Sequence, residues 1–322
     1  MLLDVLREKR CFKLICGAEN EDEQEVERLV TIYSLAGCTM FDLSANVKIV
    51  DAAKRGLERS GIKNDRYLCV SVGTKGDSHI SKAVINPKNC IKCGLCKRVC
   101  PQNTIIENEN SYEVNLSHCI GCNKCHNICP QNTIEMKYEI KDFKKILPPL
   151  IDAGIDCIEF HISTDDDDEI FTKWEYIKEI FSGNLSICIN RSKCSDEVII
   201  NRLKKMIEGM PPYSITVQAD GIPMSGGIDN YNSTLQAIAM ADIIEKSNLP
   251  VNILISGGTN SKSTELAKLC QVNIDGISMG SYARKLIKDY IKREDFFENK
   301  EIFNEALNLA KNLVNISLSN LL

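Results

Sequence analysis

The sequence predicts a barrel of eight alternating strands and helices, interrupted after its third strand by a small cysteine-rich domain. Three observations carry this expectation. Eight short apolar strands recur in order, each followed by a segment with helical spacing of its apolar residues. A stretch of different character, from about Val84 to Met136, holds half of the 16 cysteines. Without it about 270 residues remain, close to the ~250 of a (β/α)8 barrel. The expected division is 1–83 for the first part of the barrel, 84–138 for the insert and 139–322 for the rest. An open, doubly wound α/β sheet fits the same order of elements and is the alternative.

The elements follow from local pattern. Residues 1–10 read as a short polar lead-in. Phe12 to Ala18 is a buried strand ending in glycine, and Val26, Leu29, Val30 and Tyr33 mark a helix. Thr39 to Ser44 is the second strand, and Val50, Ala53 and Leu57 mark a helix closed by Ser60-Gly61. Tyr67 to Gly73 is the third strand. After the insert, Ile146 to Ala153 is a short helical stretch containing proline, and Cys157 to Ile162 is the fourth strand. A helix with Ile170, Trp174, Ile177 and Phe181 leads to a fifth strand, Leu185 to Ile189. Ser195 suits the N-cap of the next helix, with Asp196 and Glu197 in its first turn. Strands six to eight are Ser214 to Gln218, Val251 to Ile255 and Gly276 to Met279. Helices lie over 234–246, around Thr264 to Cys270 and from Tyr282, and a last one carries Phe303 to Val314.

The insert carries the strongest chemical signal. It reads Cys90-x2-Cys93-x2-Cys96-x3-Cys100-Pro101 and then Cys119-x2-Cys122-x2-Cys125-x3-Cys129-Pro130. This is the pattern of bacterial ferredoxins with two [4Fe-4S] clusters, in which the fourth cysteine of each run serves the other cluster. The expected sets are therefore Cys90, Cys93, Cys96 and Cys129 for one cluster, and Cys119, Cys122, Cys125 and Cys100 for the second. Zinc is the competing reading, but four-cysteine zinc sites rarely present three cysteines in one such run twice over. Pro101-Gln102-Asn103-Thr104-Ile105 returns as Pro130-Gln131-Asn132-Thr133-Ile134 at the same offset, so the insert is a duplicated unit.

Composition sets limits. The formal net charge of −5 argues against a general nucleic-acid binder. No apolar run reaches the ~18 residues of a membrane span, and the charged opening lacks the form of a signal peptide. Cysteine usage then points to a reducing, cytoplasmic setting. Most of the remaining cysteines sit in apolar runs, where cysteine behaves as a small hydrophobe. Cys194, in Arg191-Ser192-Lys193-Cys194, lies in a basic setting.

Two loops at the end of the chain suit a phosphate. Gly257, Gly258, Thr259 and Asn260 follow the seventh strand, and Gly280, Ser281 and Arg284 follow the eighth. In barrels these positions can hold a phosphate on backbone N–H groups and a helix N-terminus, which makes FMN a candidate cofactor. Glycines that simply make turns are the competing reading. Lys13, Asp42, His161 and Asp220 stand at other strand ends and could line one pocket, although structural hydrogen bonding accounts for each singly. The run from Asp165 to Glu169 reads as a solvated helix start or a docking surface for a basic partner.

Phe12 to Ala18, the cysteine insert, Asp220-Gly221 with Pro223-Met224-Ser225-Gly226, Gly257 to Asn260 and Gly280 to Lys285 together resemble the LdpA family of cyanobacterial light-dependent period proteins. The match runs through nearly the whole chain in the same order. It implies an iron–sulfur protein that reports redox state to circadian clock or redox-signalling proteins, with an electron donor or a quinone as a further partner. It brings no catalysed reaction. Ile222 stands where the family usually has arginine, and the first cysteine run is more regular here than is usual in the family. An iron–sulfur flavin oxidoreductase, fed electrons through the insert, is the alternative function.

Overall fold

The computed structural model describes residues 1–17, 20–62, 64–75, 81–119, 121–138, 141–191, 194–222 and 229–321. In chain order the first elements are α1 (Leu2–Arg7), β1 (Cys11–Ile15), α2 (Glu23–Leu35), β2 (Met40–Ser44), α3 (Val47–Ser60) and β3 (Tyr67–Gly73). The insert follows with β4 (Ser81–Ile85), α4 (Leu95–Val99), β5 (Ile105–Glu107), β6 (Tyr112–Val114), α5 (Lys124–Ile128) and β7 (Ile134–Tyr138). The barrel resumes with α6 (Phe143–Asp152), β8 (Cys157–His161), α7 (Asp167–Ile180), β9 (Asn184–Ile189), α8 (Asp196–Met206) and β10 (Ile215–Asp220). It ends with α9 (Leu235–Lys246), β11 (Asn252–Ser256), α10 (Ser263–Leu269), β12 (Gly276–Met279), α11 (Ser281–Ile291) and α12 (Lys300–Ser319).

The sheet is closed, in the order β1-β12-β11-β10-β9-β8-β3-β2. All of these pairings are parallel, and β1 bonds to both β2 and β12, which excludes the open sheet. Closure follows from the sequence pattern. Each strand is apolar on the face that meets a helix, as with Phe12 and Leu14 in β1 or Val217 and Ala219 in β10, all fully buried. Caps fix the helix ends. The Ser195 hydroxyl accepts from the Val198 N–H at the start of α8, and Gly61 closes α3 at φ 69°, a conformation that costs glycine little. Among the described residues, no helix is long and apolar enough to cross a membrane.

The expected polar lead-in is instead a helix. Leu2, Val5 and Leu6 of α1 are buried against Cys11, Met40, Cys69, Cys157 and Leu254. Three of these partners open their strands, so α1 plugs the N-terminal end of the barrel. The spacing of Leu2, Val5 and Leu6 holds the signal, but six residues among charges are too few to show a period.

The insert lies between β3 and β8, two neighbouring barrel strands. Its ends pair as antiparallel strands, Ser81 opposite Tyr138 and Ile85 opposite Ile134. The expected boundary at residue 84 therefore falls inside β4, because buried Ala83 already pairs with Met136. The insert leans toward the β1 and β12 side of the barrel. The Glu21 N–H donates to the Ser117 carbonyl at 3.1 Å, and Lys288 Nζ donates to the Pro101 carbonyl at 3.0 Å.

The plug gives a direct test. Leu6→Ala should lower the unfolding free energy by about 2–4 kcal/mol, read by urea denaturation under argon. Unchanged stability would show that α1 merely rests on the barrel.

Candidate functional site

The eight motif cysteines fall into two cavities. One is bordered by Cys90, Cys93, Cys96 and Cys129, with Ile85, Tyr112 and Ile134 among its walls. The other is bordered by Cys100, Cys119, Cys122 and Cys125, with Ala83, Ile105, Val114 and Met136. Each thus draws three cysteines from one half of the repeat and the fourth from the other half.

Local backbone makes this convergence possible. Lys92 and Gly94 in the first half, and Gly121 and Asn123 in the second, take φ between 53° and 73°. The left-handed turns curl each C-x2-C-x2-C run around its cavity, and glycine and asparagine adopt them at least cost. The fourth cysteines have matching neighbours. The Cys100 sulfur lies 3.6 Å from the Thr104 hydroxyl, and the Cys129 sulfur 3.3 Å from the Thr133 hydroxyl. The Ala83 N–H donates to the Cys119 sulfur at 3.5 Å. Sulfur donors, apolar walls and hydrogen bonds to sulfur are the surroundings that suit an iron–sulfur cluster.

The barrel interior is a second polar centre. Lys13 is fully buried, with Nζ 2.5 Å from Glu159, 3.0 Å from the Gln218 side-chain oxygen and 3.8 Å from Asp42. Glu159 also accepts from the Ser186 hydroxyl at 2.9 Å and from Gln218 Nε2 at 2.8 Å, and His161 Nε2 lies 3.4 Å away. Ser71 donates to Asp42 at 2.6 Å, and Ser278 donates to Gln218 at 2.7 Å. Strand period explains the assembly. Glu159 and His161 alternate with the outward Ile158 and Phe160, and Gln218 and Asp220 with the outward Val217 and Ala219.

Charge compensation governs this network. Burial works to neutralise Lys13, but Asp42 and Glu159 outweigh it and hold the ammonium well above its ordinary range. Burial also disfavours ionised Glu159, yet Lys13 and His161 hold its carboxyl well below the usual range. Burial raises Asp42. Lys13 is therefore a fixed cation rather than a free amine nucleophile. The sequence pointed to Lys13, Asp42, His161 and Asp220 for one pocket; Lys13, Asp42 and His161 meet here through Glu159 and Gln218, which it missed.

The residues after β11 and β12 separate by role. Gly257 and Gly258 turn the chain at φ 69° and 84°. A Cβ on Gly257 would stand 2.3 Å from an Asp220 oxygen, so glycine is required there. The Thr259 hydroxyl donates to the Ser278 carbonyl at 2.6 Å. The Asn260 amide donates to the Asn230 carbonyl at 2.7 Å and the Ser233 hydroxyl at 2.8 Å. These two side chains tie loops together. Gly280 is the N-cap of α11, Ser281 its first residue, and Arg284 a buried member of its first turn.

Other expectations have structural outcomes. Asp166 caps α7, and Asp167 pairs with Arg202 at 2.6 Å. Cys194 is half-buried, with Arg202 Nη1 donating to its sulfur at 3.0 Å. Ala18, Ser192, Lys193 and the run from Pro223 to Gly227 lie outside the described residues.

The buried network makes a testable demand. Lys13→Met leaves two buried carboxylates without their cation and should cost about 3–5 kcal/mol. Adding Glu159→Gln should recover part of that loss. Equal stability of Lys13→Met and the unaltered protein in urea denaturation would contradict the network as drawn.

Comparison with known proteins agrees with this anatomy. Residues 83–136 match the 4Fe-4S dicluster domain, and residues 150–316 match the Light dependent period A C-terminal domain. Light dependent period A of Synechococcus elongatus is 30% identical over 302 residues, covering 90% of this chain and 84% of the relative. Among solved structures, the YdjI aldolase of Escherichia coli K12 is similar at a TM-score of 0.49 and 7% identity, covering 99% of this chain and 94% of that one. An archaeal fructose 1,6-bisphosphate aldolase is similar at a TM-score of 0.43 and 12% identity, covering 99% and 100%. The chain is an iron–sulfur protein of barrel fold, and it belongs to the light dependent period A family.

Proposed function

We propose that this protein is a redox-responsive regulator whose state is set by two [4Fe-4S] clusters, one held by Cys90, Cys93, Cys96 and Cys129 and the other by Cys100, Cys119, Cys122 and Cys125. The observation that carries the reading is the gathering of four sulfurs around each of two cavities, with one sulfur of each set crossing over from the other half. When bound, each cluster supplies a one-electron carrier.

The chain's own residues give the pair a direction. Cys93 is exposed, which suits an outer cluster that meets an electron donor or a quinone. The inner set contains Cys100 and Cys119, and the backbone beside it bonds to the barrel through Pro101 to Lys288 and Ser117 to Glu21. The fixed charges of Lys13, Glu159 and Asp42 make the barrel a rigid body, so a change at the insert is felt where insert and barrel touch. The family relative is named for a light-dependent period, and the regulatory target proposed here is of the same kind, a clock or redox-signalling protein. A flavin oxidoreductase fed by the insert is the second reading, favoured by one feature, the buried Nε and Nη1 of Arg284, which have no partner among the described residues.

The reading is tested in cells. In a Synechococcus elongatus strain lacking its own family member, this chain should restore the light dependence of circadian period. Cys93→Ser and Cys122→Ser variants should fail to restore it while accumulating to comparable levels. Full restoration by both variants would remove the clusters from the regulatory role.

A further inference from the structure

Arg284 is only 9% exposed, and its Nε and Nη1 are buried without a hydrogen-bond partner among the described residues. A buried guanidinium normally finds an acid or a set of carbonyls, and leaving its donors unmade is costly. Among the described residues, no hydrogen bond offsets that expense for these two nitrogens. The surroundings show what would offset it.

Arg284 lies in the first turn of α11, a helix of 11 residues. Side chains of a helix lean toward its N-terminus, which carries partial positive charge and unmade N–H groups. Here the N-cap is Gly280, and no side chain caps the turn. Gly17, at the end of the neighbouring strand β1, completes the wall. Its φ is +118°, and a Cβ there would lie 3.2 Å from Arg284 Nη1 and 2.9 Å from the Asn20 Cβ. The guanidinium thus packs against bare backbone, where any larger residue would crowd it. One turn further along α11, Lys288 reaches across to the insert beside Cys100.

We propose that the mouth of the barrel, between the first turn of α11 and Gly17, binds a phosphoryl group, with Arg284 as its principal ligand. The group arrives either as free phosphate or on a small molecule whose body extends over the barrel mouth. Thr259 and Asn260 are not part of the site, because their side chains are engaged in holding loops. The proposal is independent of the cluster assignment.

The test is calorimetric titration, under argon, of the cluster-loaded protein with inorganic phosphate and with FMN. Saturable binding of at least one probe is expected, weakened by roughly tenfold or more in Arg284→Gln, since a charge-assisted fork is lost. Lys178→Gln, on α7 across the barrel, should bind as the unaltered protein does. Tighter binding of FMN than of phosphate, with phosphate competing, would identify a flavin carrier. Phosphate binding without FMN binding would support the site and assign it to another phosphoryl source. Should Arg284→Gln fail to fold, Arg284→Lys keeps the charge, loses the fork and should still bind more weakly. Absence of saturable binding of both probes, or undiminished binding by the Arg284 variants, would overturn the proposal. Cluster content and circadian complementation are read separately, so failure here leaves the redox reading standing.

Discussion

The constraint on which the insert depends is that neither half of its repeat can complete a sulfur cage alone. Cys129 leaves the second half to border the cavity of the first, and Cys100 does the reverse. Between the cavities lies only a small apolar core of residues such as Ala83, Ile105, Tyr112, Val114 and Ile134. A domain of this size buries too little apolar surface to be stable without help. Ligation by crossed cysteines, as proposed above, would join the two halves as well as hold metal, and would make cofactor content and folding of the insert one equilibrium. The antiparallel pairing of β4 with β7 closes the base of the insert, and the Glu21–Ser117 and Lys288–Pro101 hydrogen bonds tie it to the barrel.

The barrel solves a different problem. A (β/α)8 barrel is ordinarily filled with branched apolar side chains. This one places Lys13, Asp42, Glu159 and Gln218 in the middle of its interior and closes the lower end with α1. Burying such charges is costly, and replacement by apolar groups often stabilises a protein. What the network provides is fixed geometry. Each donor of the central layer has a named acceptor, and the strands that carry them cannot slip without breaking several contacts at once. The loops at the upper end, the first turn of α11 and the insert all stand on that frame.

Much of this was legible in the sequence, and the reasons differ by element. Tyr67–Gly73 and Gly276–Met279 have the same bounds in sequence and structure, because short apolar runs between turn residues admit few alternatives. The grouping of the cysteines around two cavities was readable because cluster geometry dictates the spacing of cysteines along a chain. The helix α1 was not, since its few apolar residues are interrupted and followed by charges, and only the barrel end reveals their partner. Glu159 was passed over because it stands inside an apolar strand. Its role depends on closure, which brings β8 face to face with β1 across the interior. The glycines after β11 show the limit of motif reading. They turn the chain and accommodate Asp220, while Arg284, a single residue one loop later, keeps two buried donors without a partner among the described residues.

The crossed sharing of sulfur is tested most directly by electron paramagnetic resonance of the reduced protein, purified without oxygen, in three single variants. Cys100→Ser and Cys122→Ser should perturb the same cluster signal, and Cys93→Ser should perturb the other. A Cys100→Ser spectrum matching that of Cys93→Ser, or a protein with no cluster signal at all, would contradict the account.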